Sequence, residues 1–144
     1  MAYQELGYQK ATSNMRTYNT SYIRDIVEHL PIAGFEPLSF ILDHDNIVLT
    51  NGKDYAVFEL TTFGTYTGHY FFKSRGRAAI EVGKQFLNEL FNEHGACLVI
   101  GFTPCEYKAA KWMNRQLGFK AGPLVETPEG TCQLYTLTKE QHSG

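Results

Sequence analysis

The sequence lacks the features that mark membrane, secreted and metal-dependent proteins. No run approaches the roughly 18 apolar residues that a membrane span requires, and the N-terminus has no charged-then-apolar signal region. The three cysteines, Cys97, Cys105 and Cys132, have neither CxxC nor His-paired spacing, which favours reduced thiols over a disulfide framework or a zinc site. We therefore expect a soluble protein that is made in the cytoplasm, is not secreted through a signal peptide and binds no metal.

An excess of charge of either sign is also lacking. Thirteen Lys and Arg residues against 15 Asp and Glu residues give a formal net charge of −2. Broad attraction to nucleic acid or to an anionic membrane is not encoded at this charge, so any site for a polyanion must be local. Neither nucleic acid nor a membrane is expected as a partner.

The composition is that of one folded domain. The chain has 144 residues, of which 43% are hydrophobic and 14% aromatic, enough for a core without disulfides or metals. Residues 1–14 are polar with scattered tyrosines and show no sustained period, so we interpret them as a flexible N-terminal arm. Residues 15–144 are interpreted as a single domain.

Hydrophobic periodicity and turn signals predict the order of the elements. Strands are predicted at residues 15–18, 47–50, 55–60, 66–72, 97–102, 119–124 and 131–137, and helices at 22–30, 78–93 and 105–116. Thr103 is expected to cap the last helix, with Pro104 at its first position. Residues 138–144 are predicted to form a polar tail. The apolar segment 38–42 fits a short helix or a strand equally well.

This order predicts an α/β fold of the α+β type, with a central mixed sheet of about six to seven strands and flanking helices. The first strands form an antiparallel meander, and the helix after residue 72 leads to a parallel, buried strand. A ligand crevice is expected where these two parallel strands end.

A short basic loop, residues 73–78, lies at that position. A strand that passes through a glycine turn into a helix presents unpaired N–H groups and the positive end of the helix dipole at one point, which suits an anion such as phosphate. An ordinary connection with a solvated basic rim explains the same residues, so the loop alone leaves both interpretations open.

Two titratable side chains on the predicted central strands are candidate general bases. Glu59 lies near the end of one strand and His69 lies on the next. An edge carboxylate and a hydrogen-bonded histidine are the alternative interpretations. Residues 43–46, Asp-His-Asp-Asn, are interpreted as a solvated turn and not as a metal site.

Two motifs resemble those of the GCN5-related N-acetyltransferase (GNAT) superfamily. Lys73-x-x-Gly76-x-Ala78 is similar to its Arg/Gln-x-x-Gly-x-Gly/Ala pyrophosphate arm. The stretch Tyr107-x-x-Ala110-x-x-Met113-Asn114-x-x-Leu117-Gly118-Phe119 is similar to its late motif Asn-x-x-Ala-x-x-Leu-Tyr-x-x-x-Gly-Phe. The resemblance covers about residues 15–138 at the level of element order.

The resemblance implies a GNAT-like fold and a site for acetyl-CoA. The pyrophosphate would contact the backbone of Gly76, Arg77 and Ala78 with help from the Lys73 and Arg75 side chains, and a backbone N–H in the stretch Tyr70, Phe71 and Phe72 would polarise the thioester. Asn114 stands where many members carry the tyrosine that protonates the departing thiolate, a role that an amide cannot fill.

Four details also resemble a narrower group, the acetyltransferase-like head-assembly and internal virion proteins of short-tailed bacteriophages. They are the polar arm, the shortened basic loop, the Gly-Phe-Thr-Pro sequence at 101–104 and the ending at 132–139. This implies a virion or head-assembly accessory protein with a degenerate site, located in the host cytoplasm and the virion, with virion proteins as partners. The alternative is an active acetyl-CoA-dependent N-acetyltransferase acting on an unidentified amine.

Overall fold

Six strands form one mixed sheet in the part of the chain that the computed structural model describes, residues 16–17, 43, 45–128 and 130–143. The strands are β1 (Ile47–Thr50), β2 (Tyr55–Thr62), β3 (Thr65–Phe71), β4 (Leu98–Pro104), β5 (Lys120–Thr127) and β6 (Gly130–Thr138). The helices are α1 (Gly76–Glu93), α2 (Lys108–Gln116) and α3 (Lys139–Ser143). No helix among these residues is long and apolar enough to cross a membrane.

The sheet order β1-β2-β3-β4-β6-β5 confirms the predicted architecture. All neighbouring strands are antiparallel except β3 and β4, which are parallel and joined through α1. A parallel pair needs such a crossover because the chain must return to the end of the sheet where the first strand began before the second strand can start. The predicted meander, crossover and final hairpin are therefore all present.

The core lies between α1 and one face of the sheet. Residues Phe86, Leu87, Leu90 and Phe91 recur at helical spacing and are at most 1% exposed, as are Phe58 and Leu137 on the strands. An edge-to-face series of rings, Phe58, Tyr70, Phe72 and Phe86, links β2 and the end of β3 to the helix, with centroids 5.7–5.8 Å apart. This packing fixes α1 against the end of β3.

The start of the second helix differs from the prediction. Thr103 and Pro104 were expected to open it, but they belong to β4, where they pair with Gln133 and Cys132 of β6. The helix starts at Lys108, after a turn in which the Tyr107 N–H donates to the Pro104 carbonyl at 3.0 Å. The sheet keeps these residues because the β6 partner extends the ladder, which a local capping signal cannot reveal.

The chain end was predicted as a polar tail but forms the short helix α3. Thr138 and Gln141 cap it reciprocally: the Gln141 N–H donates to Thr138 Oγ1 at 3.1 Å, and the Thr138 N–H donates to Gln141 Oε1 at 2.9 Å. This is the capping-box arrangement of Thr-x-x-Gln.

The predicted N-terminal arm, the helix at 22–30 and the segment 38–42 lie outside the described residues. Of the predicted strand at 15–18, Arg16 forms an antiparallel bridge with Leu49, and the Thr17 N–H donates to the Val48 carbonyl at 3.0 Å. In the predicted turn at 43–46, the Asn46 N–H donates to the Asp43 carbonyl at 3.1 Å, and Asp43 and Asp45 are exposed.

Helices α1 and α2 touch at a glycine. A Cβ atom placed on Gly83 would lie 2.9 Å and 3.1 Å from the two methyl carbons of Leu117, which follows α2. Gly83 and Leu117 are both buried, so the space for even a small side chain is missing. The close approach fixes the end of α2 against the middle of α1.

We expect Gly83→Val to destabilise the fold by about 1–3 kcal/mol, because the added atoms overpack a filled contact. The measurement is urea denaturation followed by circular dichroism. Lys84→Val, at the exposed neighbouring position of the same helix, is the matched control and should change the free energy of unfolding by less than about 1 kcal/mol. Equal effects of the two variants would contradict the tight contact.

Candidate functional site

The parallel strands β3 and β4 separate after a short paired stretch. Their ladder runs only from Thr65–Leu98 to Thr67–Ile100, whereas β3 continues to Phe71 and β4 to Pro104. Between the diverging ends lies a cleft of about 740 Å³. The predicted crevice beyond the ends of two parallel strands is thus present, and its size is in the range of small-molecule sites.

The cleft brings together six of the residues that the sequence predicts to form the catalytic and cofactor site. They are Glu59, His69, Tyr70, Phe71, Phe72 and Asn114. Residues 100–104 of β4 and Met113 of α2 also line it. The basic loop does not line the cleft itself but begins directly after Phe72, so it lies at the rim.

The first turn of α1 has the properties of an anion site. Gly76 begins the helix with φ +60°, a conformation that favours glycine, and a Cβ there would have no heavy atom within 4 Å. The N-cap residue Arg75 is extended and makes no side-chain capping bond within the described part of the chain, and the first turn carries no acidic residue. Residues 76–78 are exposed, so the first-turn N–H groups and the positive end of the dipole lie at the surface without a side-chain cap from the described residues.

The side chain of Arg75 folds back onto its own loop. Its Nη1 donates to the carbonyl of Phe72 and, at 3.0 Å, to the carbonyl of Ser74. The guanidinium thus braces the turn, whereas the side chains of Lys73 and Arg77 are exposed. That Lys73 and Arg75 supply charge to a bound anion stays a prediction.

The buried carboxylate of Asp54 holds the basic loop through hydrogen bonds, a role that the sequence did not predict. This side chain, at the end of the β1–β2 turn, is fully buried and accepts the N–H groups of Lys73 at 2.7 Å and Ser74 at 2.8 Å. Burial alone would raise the pKa of the carboxyl, but hydrogen bonds from Ser74, Asn51 and Lys73 outweigh it and hold the pKa below 3.8. No local signal could have found this contact, because its partners lie 19 and 20 residues away.

Glu59 and His69 face each other diagonally across β2 and β3. His69 Nε2 lies 3.9 Å from Glu59 Oε1, and the two side chains are 32% and 47% exposed. Burial lowers the pKa of His69 below 6.5, and the Glu59 carboxylate offsets part of that effect. The imidazole is therefore mostly neutral at pH 7 and able to accept a proton.

Tyr70 lines the cleft, but its phenol hydroxyl is buried. The ring lies over Gly68, where a Cβ would be 3.2 Å from the hydroxyl oxygen, and that oxygen has no hydrogen-bond partner among the described residues. Burial raises the pKa of the phenol well above its ordinary value of 10. Tyr70 is therefore a poor replacement for the proton-donating tyrosine whose position Asn114 occupies.

Asn114 joins α2 to the wall formed by β4. Its Nδ2 donates to Thr103 Oγ1 at 2.9 Å, and Thr103 is buried. The amide has a fixed place in the cleft but no proton to give at neutral pH. Tyr107, at the position where the superfamily motif has asparagine, is 57% exposed and also borders the cleft.

The sequence matches no model of a known protein family and none of the curated proteins. Solved structures do match its fold. Aminoglycoside acetyltransferase AAC(6')-Ib in complex with paromomycin and acetyl-CoA is 12% identical with a TM-score of 0.66, over 90% of this chain and 94% of that one. RimJ of Mycobacterium smegmatis in complex with CoA-disulfide is 13% identical with a TM-score of 0.62, over 84% and 76%.

A third match is a chimera of spermidine N-acetyltransferase SpeG from Vibrio cholerae and hSSAT. It is 8% identical with a TM-score of 0.72, over 90% of this chain and 98% of that one. Identities this low establish a shared fold and no more. The six-strand mixed sheet with its flanking helices matches the GNAT fold of these neighbours.

Proposed function

We propose that this protein is an acyl-CoA-dependent N-acyltransferase that transfers an acetyl group to an amine. One observation carries the proposal: the cleft between β3 and β4 opens next to a helix N-terminus that starts at a left-handed glycine and that no side chain caps within the described part of the chain. A thioester with a pyrophosphate-bearing tail would fit a cleft of this size beside a helix N-terminus. The GNAT fold, found in proteins whose structures contain CoA or acetyl-CoA, supports it.

The residues at the rim suit the pyrophosphate of CoA. The backbone N–H groups of Gly76, Arg77 and Ala78 would hold it, because no side chain caps them in the described structure and the open space at Gly76 admits an anion. Lys73 would add charge from the exposed side of the loop. When bound, acetyl-CoA supplies an activated acyl thioester, and the backbone of residues 70–72 would orient it along β3.

The part of the cleft lined by Glu59 and His69 suits an amine. Glu59 gives it a carboxylate that attracts an ammonium group, and neutral His69 can accept the proton that the amine must lose. The Glu59 charge then stabilises the imidazolium. Some proteins that share the fold are named for amines, an aminoglycoside and spermidine, which is consistent with this assignment.

Asn114 distinguishes this site from the superfamily pattern. The amide cannot donate a proton, and burial makes the Tyr70 phenol reluctant to lose its own. We therefore assign protonation of the departing thiolate to solvent.

The role in a phage particle, with virion partners, and the division into an arm and one domain at residue 15 stay predictions. If the site is instead degenerate and non-catalytic, the experiments below will show no cofactor binding or no turnover.

Gly76→Glu is expected to weaken CoA binding at least about tenfold, because a carboxylate would enter the anion site and the left-handed conformation would be strained. The measurement is isothermal titration with acetyl-CoA and with CoA. Gly95→Glu is the matched control, since Gly95 also has positive φ (+74°), is exposed and has no neighbour within 4 Å of a Cβ.

Binding that is lost in Gly76→Glu and kept in Gly95→Glu would support the cofactor site. Absence of heat with the wild-type protein, together with an unchanged melting temperature in excess ligand, would refute the proposed function. Equal losses in both variants would point to general strain and contradict an anion site at Gly76.

A second prediction concerns pH. If neutral His69 accepts the proton, kcat rises with pH to a plateau, with a midpoint below 6.5. His69→Gln should lower kcat by about 10²-fold and remove this limb. Glu59→Gln should move the limb to lower pH, because the Glu59 carboxylate raises the pKa of His69.

The assay follows CoA release with a panel of primary amines that includes spermidine and kanamycin, each variant being compared with wild type on the same amine. His142→Gln is the control, since burial also lowers the pKa of His142, which does not line the cleft. A large loss in Glu59→Gln with an unaltered profile in His69→Gln would identify Glu59 as the base instead.

A further inference from the structure

The β1–β2 turn holds Asp54 in a fixed position. Asn51 Oδ1 accepts the N–H groups of Lys53 at 2.9 Å and Asp54 at 2.7 Å, and Thr50 Oγ1 donates to the Asp54 carbonyl at 2.9 Å. The Gly52 N–H in turn donates to Thr50 Oγ1 at 2.9 Å. These short-range bonds orient the Asp54 side chain before it meets any distant group.

Both oxygens of that carboxylate bind the basic loop. Oδ1 accepts the N–H groups of Lys73 and Ser74, and Oδ2 accepts the Ser74 hydroxyl at 2.7 Å and, more loosely, Asn51 Nδ2 at 3.2 Å. Hydrogen bonds to an ionised acceptor are stronger than neutral ones. The turn and the loop are thus joined into one unit at a buried point.

The contact decides which N–H groups of the loop face outward. Those of Lys73 and Ser74 point at Asp54, and two residues later α1 begins at Gly76, which has a positive φ. The N–H groups left for an external anion are therefore those of the first helical turn. Their direction depends on where residues 73–75 are held.

The charge of Asp54 works against an anion nearby, since a buried carboxylate repels a pyrophosphate. Its hydrogen bonds work in the opposite direction, because they preorganise the loop. We propose that the second effect prevails and that Asp54 is a positioning residue for the pyrophosphate of CoA, acting through Lys73 and Ser74. This inference rests on the proposed function and adds a residue to that site which does not itself contact the ligand.

The direction in which one substitution changes the affinity for CoA tests this proposal. Asp54→Asn removes the charge and keeps the volume, so electrostatics alone would tighten CoA binding, whereas loss of the loop anchor would weaken it. We expect the Kd for CoA, measured by isothermal titration, to rise about tenfold. Asp45→Asn, at an exposed carboxylate that does not line the cleft, is the matched control and should leave the Kd unchanged.

Ser74→Ala removes only the hydroxyl bond to Oδ2 and keeps both backbone bonds, so it provides a milder variant if Asp54→Asn fails to fold. The expected rise in Kd for CoA is about threefold. Pantetheine, which lacks the pyrophosphate, separates positioning from general damage. Its affinity, measured by ligand-observed NMR, should be the same in wild type, Asp54→Asn and Ser74→Ala.

Weaker CoA binding with unchanged pantetheine binding supports the inference. Unchanged or tighter CoA binding in Asp54→Asn overturns it while leaving the proposed function intact, and so does an equal loss for both ligands. If the wild-type protein binds no CoA, the proposed function fails and this inference fails with it.

Discussion

The structure depends on the limited pairing between β3 and β4. The two strands share only the ladder from Thr65–Leu98 to Thr67–Ile100, and beyond it each is held by its other neighbour, β2 on one side and β6 on the other. Because Thr103 and Pro104 remain paired with β6, β4 stays extended instead of turning into a helix. The opening in the middle of the sheet is therefore stabilised by antiparallel ladders at its two sides.

The helices keep this opening in place. The rings of Tyr70 and Phe72 pack in series between Phe58 and Phe86, which ties the diverging end of β3 to α1. The close approach of Gly83 to Leu117 places α2, and with it Asn114, over the end of β4. Dense packing of this kind resists small shifts, so the packed core fixes the width of the cleft.

The site separates two electrostatic environments. At the rim, exposed cations lie beside a helix N-terminus that no described side chain caps, and the Asp54 carboxylate that contacts the loop is buried and stabilised by hydrogen bonds. Glu59 and the imidazole of His69, which is mostly neutral at pH 7, line the cleft itself. In the proposed reaction these two environments would receive an anionic donor and a cationic acceptor.

The sequence by itself determined the elements whose signals are local. Asn51-Gly52 marked the first hairpin, the apolar spacing in residues 78–93 marked α1, and Gly76 among basic residues marked the turn that leads into that helix. Only the tertiary structure decided the relations between distant residues. It kept Thr103 and Pro104 in the sheet, since a partner strand outweighs a capping signal, and it joined Asp54 to Ser74 across 20 residues. It also set the protonation of His69, because burial depends on every element packed around a side chain and not on its sequence neighbours.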